Sequence, residues 1–451
     1  MTKDEIIQTL GSTRLCNLAN AEKLTDSVTL DRYSALVHDN IWTKALQAAL
    51  DEHEVVVIPA RDEPYMIDST VVIPSNRSVR AYGAALRLTP DCDVIMFRNS
   101  STEDGTHKPV TGTPDHNISF FGGRFEESRT RRGGYGTSGK YDANRSFHGV
   151  STLFFFNNIN GFTIEDATFA HTAGFAVQTG DAADIVFEHI RFIECYADGQ
   201  HINGNTTNIL CRDSKGQVGD DLVALNVYDW QNSSVDFGPM KNVLCENLEL
   251  SADSRYKAMR IEPGRYIYDD GSITECSLTN ALIRGVRGIM TFKLYYQTPP
   301  YRIGTAPERG MVGRIDDIYF EDITIDLDGP LDRFPEYLNS DPVRGRFAAF
   351  EFGADAGRVS FENIDLRLYP DKYPLSTLAL VGPKSVRRGE NEIFDPYVSC
   401  EVGELSFSDI RINGRPAELS ELFAANSFDD INADGHSGGQ GRVKAITYKK
   451  T

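Results

Sequence analysis

Three aspartates carry the clearest chemistry in this sequence of 451 residues. Asp220 and Asp221 stand side by side in "GDDLVALN", and Asp198 lies upstream in "YADGQHI". The step from Asp198 to Asp220 is about 22 residues, the length of one short solenoid repeat. Adjacent carboxylates repel, and the apolar run that starts at Leu222 has no structural use for both. If the chain repeats at about that length, the two turns stack and the three carboxylates share one wall. They cannot all ionise cheaply there, so one acid should hold its proton near neutrality beside others that stay charged. A proton donor beside charged carboxylates is what hydrolysis of a glycosidic bond requires. Any single Asp next to Gly is more simply a turn residue; three aligned at repeat spacing point to catalysis. A calcium site would want a ladder of acidic loop positions, which is absent, so neither metal nor organic cofactor is expected.

The elements that must position these acids repeat along the chain. Strand-like units read "NISFFGGRF" from Asn117, "GFTIEDATF" from Gly161, "DIVFEHIRF" from Asp184 and "NILCRDSKG" from Asn208. Others follow from Asn242, Asp317, Arg358 and Glu404. Within each, apolar residues alternate and Asn or Asp punctuates a corner. A unit this short cannot bury its own apolar face, so copies must stack. The near-equal steps from Gly161 to Asp184 and from Asp184 to Asn208 suggest a right-handed parallel β-helix. Leucine-rich repeats share the length but not the spacing, and a β-sandwich would lack the long-range self-similarity.

Residues 38–60, "HDNIWTKALQAALDEHEVVVIPA", begin with an amphipathic helix whose apolar face is Ile41, Trp42, Ala45, Leu46, Ala49 and Leu50. Asp39 or Asn40 is its expected N-cap, and its role is to cover the raw apolar end of the solenoid. Residues 329–346 read as a long loop, and those from about 425 to 451 as a polar, poorly ordered tail. The expectation is one β-helix domain over the whole of 1–451.

Composition narrows the partners. The formal net charge of −19 disfavours nucleic acid and anionic membrane surfaces. No apolar run approaches the roughly 20 residues of a membrane helix, and the first residues lack a secretory core. The sequence as it stands suggests the cytoplasm, or secretion if a signal has been removed. Seven cysteines without a CxxC pair fit reduced core thiols.

With these residues in view, the chain resembles glycoside hydrolase family 28, the polygalacturonase-like group of the pectin-lyase-like superfamily. That family carries N-T/S-D-G-I, G-D-D-C-I/V-A/S, G-H-G, R-I-K and then a tyrosine. Here "ADGQHI" matches the first element, "GDDLVALN" the second and "RIEPG", from Arg260, the fourth. Tyr295, in "FKLYYQTPP", stands where the family has its substrate-contacting tyrosine. The resemblance runs from about residue 38 to about 415. It implies an inverting hydrolase in which Asp220 protonates the leaving oxygen while Asp198 and Asp221 activate water. It further implies that Arg260 binds the neighbouring sugar and that Tyr295 shapes its pocket.

Two positions depart from the family pattern. No histidine lies between Asp221 and Arg260, where the resemblance implies a G-H-G histidine that supports the catalytic carboxylates, and the R-I-K lysine is Glu262. Lysine suits a uronate carboxylate, whereas glutamate repels one, so a neutral or mixed glycan becomes at least as good a substrate as homogalacturonan. Arg260 could instead pair with Glu262. His201, three residues after Asp198, could face the cleft or be a hydrogen-bonded wall residue. His171 reads as a corner, Cys195, Cys211 and Cys245 as stacked core, and "LFFFNNI" from Leu153 as core. "RTRRGG" at 129–134 is a tight basic patch, most simply a solvated loop. Two other functions fit the same scaffold. A uronate lyase or epimerase would use a base with Arg260, and a non-catalytic glycan-binding module would bind without turnover. Oligomeric state is left open.

Overall fold

Each strand unit becomes one coil of a right-handed parallel β-helix, and an N-terminal helix covers its end. The computed structural model describes residues 1–90, 92–102, 112–127, 152–228, 236–251, 253–254, 258–268, 270–288, 313–326, 348–371, 377–382, 385–388, 391–394, 400–425 and 440–450. Among them, 27 strands belong to one hydrogen-bonded system. Phe162 sits over Ile185 and Ile185 over Ile209, but coil length is not constant along the chain. Asp184 and Asn208, bonded across one coil step, are 24 residues apart. Asn208 and Asn242, the next such pair, are 34 residues apart, and Asp355 and Glu401 are 46 residues apart. The strands keep register while the connections between them lengthen.

Two of the sheets wound this way matter for function. The first stacks residues 71–73, 97–99, 152–157, 175–180, 200–203, 223–226 and 259–261. The second stacks 159–165, 182–188, 206–212, 240–246, 278–284 and 315–321, and continues to the C-terminal side. Corners entering the second sheet need a left-handed backbone, which Asn and Asp adopt at low cost. Asp184, Asn208, Asn242 and Asn280 all have φ between 57° and 59°. Their side chains link coil to coil, with Asn208 donating to Asp184 at 2.8 Å, Asn242 to Asn208 at 2.9 Å and Asn280 to Asn242 at 3.0 Å. Inside, side chains of like type stack at coil spacing. The rings of Phe320, Phe361 and Phe407 lie 5.2 and 5.3 Å apart and nearly parallel, a favourable aromatic arrangement.

The end cap forms as helix α2, Thr43–Glu52, with Ala45, Leu46, Ala49 and Leu50 buried. Its start corrects the sequence expectation: Trp42 occupies the N-cap and no side chain caps the helix. Asn40 is used elsewhere, accepting from the Trp42 indole at 2.9 Å and donating to the Pro64 carbonyl at 3.0 Å. Gln47 closes the strand edge beneath the helix. Its amide donates to the Val72 carbonyl at 2.9 Å and its oxygen accepts from the Val72 N–H at 2.8 Å. The side chain thus supplies the pair of hydrogen bonds that another strand would have made.

The sequence reading did not anticipate helix α1, Lys3–Glu22. It lies along the second sheet parallel to the solenoid axis. At about 1.5 Å per residue its 20 residues span ~30 Å, and six coil steps of ~4.8 Å give ~29 Å. Its ends agree with that match: Tyr319 donates to the Met1 carbonyl at 3.0 Å and Asn20 donates to Asn117 at 3.2 Å. Ile6 and Leu10 pack on Val186, Leu210, Leu244 and Leu282, an outward-facing apolar ladder of consecutive coils. Beside it runs a charged ladder in register: Glu165, Glu188, Arg212, Glu246, Arg284, Glu321, Glu362. It alternates except at its two glutamate pairs. There α1 inserts a cation, with Arg14 bonded to Glu188 and 3.9 Å from Glu165, and Lys3 lying 3.2 Å from Glu321 and 2.6 Å from Glu362.

The stretch read as a polar tail also differs from expectation. Gly441–Lys449 is a strand, paired in parallel with Cys400–Ile412, and so adds to the second sheet. Its polar and charged residues, Arg442, Lys444, Thr447 and Lys449, break up the apolar ones, which hid it in a polar context. The long-loop expectation at 329–346 lies outside the described residues. No helix among the described residues is long and apolar enough to cross a membrane.

Candidate active site

The first sheet carries the acids. Gln200 pairs with Val223 and His201 with Ala224, so Asp198 stacks on Asp221. Asp198 and Asp221, joined by a hydrogen bond, are 23 residues apart. Counting from Asp220 is therefore one position out, yet the three carboxylates still converge. One oxygen from each of Asp198, Asp220 and Asp221 lies within 4.8 Å of the other two. Close approach of the turns makes this possible. A Cβ on Gly219 would meet the Tyr196 carbonyl oxygen of the preceding coil at 1.8 Å. Gly219 also donates to the Ala197 carbonyl at 3.3 Å. The glycine that opens "GDDLVALN" is thus what lets the acids stack.

The three acids are held differently. Asp198 is 2% exposed and Asp221 is fully buried, whereas the Asp220 side chain is 19% exposed. Both Asp198 oxygens are engaged, Oδ1 accepting from the Asp221 N–H at 2.8 Å and Oδ2 bonded to His201 Nδ1 at 2.5 Å. Arg260, two coils along the ladder from His201, faces the rest of the set. Its Nε lies 2.8 Å from Asp221 Oδ2, and its terminal nitrogens lie 3.2 Å from Asp220 and 3.4 Å from Glu262. The pairing of Arg260 with Glu262 raised by the sequence is present, and so is pairing with both aspartates. Glu262 is itself buried. The cluster therefore gathers Asp220, Asp221 and Glu262 around the Arg260 guanidinium, with Asp198 beside the two aspartates.

The three aspartate oxygens are close enough to share a cation. Arg260 already supplies positive charge on that side, which offsets the carboxylates and would repel a second cation. A second acidic grouping, Glu188, His189 and Asp213, belongs to the corner and charge ladders of the second sheet. There Glu188 is bonded to Arg14 and lies 3.2 Å from Arg212.

Side chains around the acids were only partly anticipated. His201 is a buried wall residue stacked on Phe175, with centroids 4.0 Å apart and planes at 16°. Asn203, two residues on, donates to His201 Nε2 at 3.3 Å and accepts from Gln178 at 2.9 Å. Phe175, Gln178 and Asn203 were missed; the available signal was the i, i+2 outward parity of the strand bearing His201. The expectation that "LFFFNNI" is buried holds, and the same parity divides it. Phe154 and Phe156 join the core, but Phe155, buried too, lies in the outward register of Gln178 and His201. His171 sits at a left-handed corner, 3.3 Å from Glu194. Cys195, Cys211 and Cys245 are buried core, with Cys211 stacked on Cys245; burial, then the neighbouring thiol, pushes the Cys211 thiol well up. Tyr295 and the basic patch at 129–134 lie outside the described residues.

Comparison with known proteins bears on the fold. No family model matches the chain, and no curated protein matches it in sequence. Among solved structures it is similar to a hyperthermoactive exopolygalacturonase from Thermotoga maritima, with a TM-score of 0.52 at 11% identity over 97% of both chains. It also matches a family 28 exopolygalacturonase from Yersinia enterocolitica, with a TM-score of 0.46 at 13% identity, over 94% of this chain and 78% of that one. A tailspike protein of an E. coli bacteriophage, in complex with a pentasaccharide, gives a TM-score of 0.48 at 12% identity, over 88% of this chain and 65% of that one. At such identities the likeness is one of architecture: the chain has a right-handed parallel β-helix fold.

Proposed function

We propose that this protein is a glycoside hydrolase that cleaves its substrate in one displacement, with inversion at the anomeric carbon. The observation that carries the reading is the unequal placement of three convergent carboxylates. Asp220 alone of the three is open enough to meet a leaving oxygen, and a proton on it relieves the excess negative charge of the cluster. Asp198 and Asp221 are buried, and the oxygens of Asp198 are engaged. A small water molecule reaches such groups more readily than an anomeric carbon does, so they suit activation of water rather than covalent attack. Single oxygens of the three approach within 4.8 Å of one another, which is a distance between chosen atoms and not the separation of whole carboxyl groups, roughly 6.5–9.5 Å, that marks inverting pairs. Stereochemistry therefore rests on this difference in access and on the motif resemblance, not on the separation rule.

Glu262 directs the substrate class. With Glu262 replacing lysine beside Arg260, and Arg260 shared among three carboxylates, the site disfavours a uronate and suits a neutral or mixed glycan. Neutral oligosaccharides and oligogalacturonates, offered side by side, provide the test. New reducing ends with a neutral member, and an inverted first product by proton NMR before mutarotation, are the expected result. An unsaturated product absorbing in the ultraviolet would make it a lyase. Binding without turnover across the panel would make it a glycan-binding module.

A further inference from the structure

We propose that His201 is the positioning residue for Asp198, taking over the support that the family resemblance assigns to a histidine absent from this chain. The proposal rests on the glycosidase reading above. The contact itself is short and buried, with Nδ1 of His201 2.5 Å from Oδ2 of Asp198 and both side chains nearly inaccessible.

Phe175 and Asn203 fix the imidazole. Phe175, from the preceding coil, stacks on its face. Asn203 presents its amide nitrogen to Nε2, and the direction of that amide is set at both ends. Its oxygen accepts from Gln178 at 2.9 Å, and its nitrogen also donates to the Asn226 carbonyl at 3.3 Å. A donor at Nε2 leaves Nε2 as acceptor, so the ring proton sits on Nδ1 and is given to Asp198. Among the described residues, the charged groups nearby are Asp198 itself, Asp221 through its N–H to Asp198, Asp220, and Arg260 and Glu262 two coils on. The relay Gln178–Asn203–His201–Asp198 thus runs through neutral amides and ends on one carboxylate. This arrangement holds the second Asp198 oxygen while the Asp221 N–H holds the first. The acid stays oriented for the water it activates, and His201 never touches the sugar.

Two measurements test this. In protein labelled with ¹⁵N-histidine, the His201 ring, identified by its loss in His201→Asn, should show the Nδ1–H tautomer, and its resonances should move in Asp198→Asn. An Nε2–H tautomer, or resonances indifferent to Asp198→Asn, overturns the proposal, and neither result requires a substrate. For turnover, the most active member of the oligosaccharide panel serves as probe. His201→Leu should lower kcat on the order of 10- to 100-fold with KM little changed. His201→Asn, whose amide can donate from the position of Nδ1, should recover most of that loss, with thermal midpoints of both variants checked against wild type. A His201→Leu enzyme of normal kcat overturns the positioning role while an inactive Asp220→Asn enzyme leaves the hydrolase reading standing. If Asp220→Asn is fully active, the hydrolase reading falls instead.

Discussion

Two outward faces of the same solenoid handle charge in opposite ways. Under α1, ladder positions alternate in sign, and each place where two glutamates fall in succession receives a cation from the helix, Arg14 at one end and Lys3 at the other. On the first sheet, Asp198 stacks on Asp221 beside Asp220, and Glu262 joins them with Arg260 as the shared counter-charge. Stacked coils bring like charges close to the inter-strand spacing, so an unrelieved run costs stability unless something offsets it. One face shows what a stack does when only stability is at issue. The other keeps its excess of carboxylates, and that contrast marks it as the candidate site.

The contrast can be broken most forcefully at Asp220. Asp220→Asn removes a proton donor and little volume, so turnover should fall by roughly 10² to 10⁴ while the thermal midpoint holds or rises. A near-normal rate would place the proton donor elsewhere. The corresponding blow to the other face is Leu10→Ala, which opens the helix seat over Val186, Leu210, Leu244 and Leu282. It should cost about 2–4 kcal/mol in denaturant unfolding with kcat unchanged in the folded fraction. A loss of activity beyond the loss of folded protein would show that the two faces are coupled.

Glu262→Lys sharpens the chemical half of the comparison by reversing one charge of the site. Preference for an oligogalacturonate over a neutral oligosaccharide should rise about tenfold, which is about 1.4 kcal/mol. An unchanged ratio would put Glu262 outside the sugar pocket.

The smallest effect tests whether α1 fully settles its glutamates. Burial first, then the charge of Glu188, holds the Glu165 carboxyl above its ordinary range despite Arg14. A carboxyl raised in the folded state opposes folding once pH exceeds its unfolded value, because the native state then binds the extra proton. Glu165→Gln should therefore raise the midpoint by about 1 °C at pH 7, and the gain should vanish below the unfolded carboxyl range. A gain that persists in acid would point to packing instead of charge.

What the sequence made legible follows from period and parity. The coil could be counted because alternating apolar residues recur with an Asn or Asp at the corner, as in "DIVFEHIRF". Asp198, Asp220 and Asp221 could be gathered because they sit where coils are still short and nearly equal in length. Farther on, where the connections lengthen, counting fails and only strand pairing restores register. Helix α1 was hidden for a different reason. Its buried positions run Ile6, Leu10, Thr13, Asn17, Ala21, apolar only where the seat is apolar, with Asn17 bonding Thr163 and the Asp184 carbonyl where it is not. The clue lay in the strands: Val186, Leu210, Leu244 and Leu282 are apolar at positions whose parity faces outward. His201 was legible as a wall residue, but its service to Asp198 needed the turn geometry that only the folded coil supplies.

The match between helix length and coil count carries a consequence for how such a chain can change size. A solenoid ordinarily grows or shrinks by duplicating or losing a coil, since each copy asks only for neighbours like itself. Here a duplicated coil between residues 188 and 317 would carry Glu321 and Glu362 a further ~4.8 Å from Glu165 and Glu188. Lys3 and Arg14, held at a fixed spacing on one rigid helix, could then no longer serve both pairs at once. The acids at 198, 220 and 221 lie within the same stretch of the chain. Evolutionary tinkering with coil number is thus steered away from the acid-bearing segment and toward the C-terminal coils that follow Glu362.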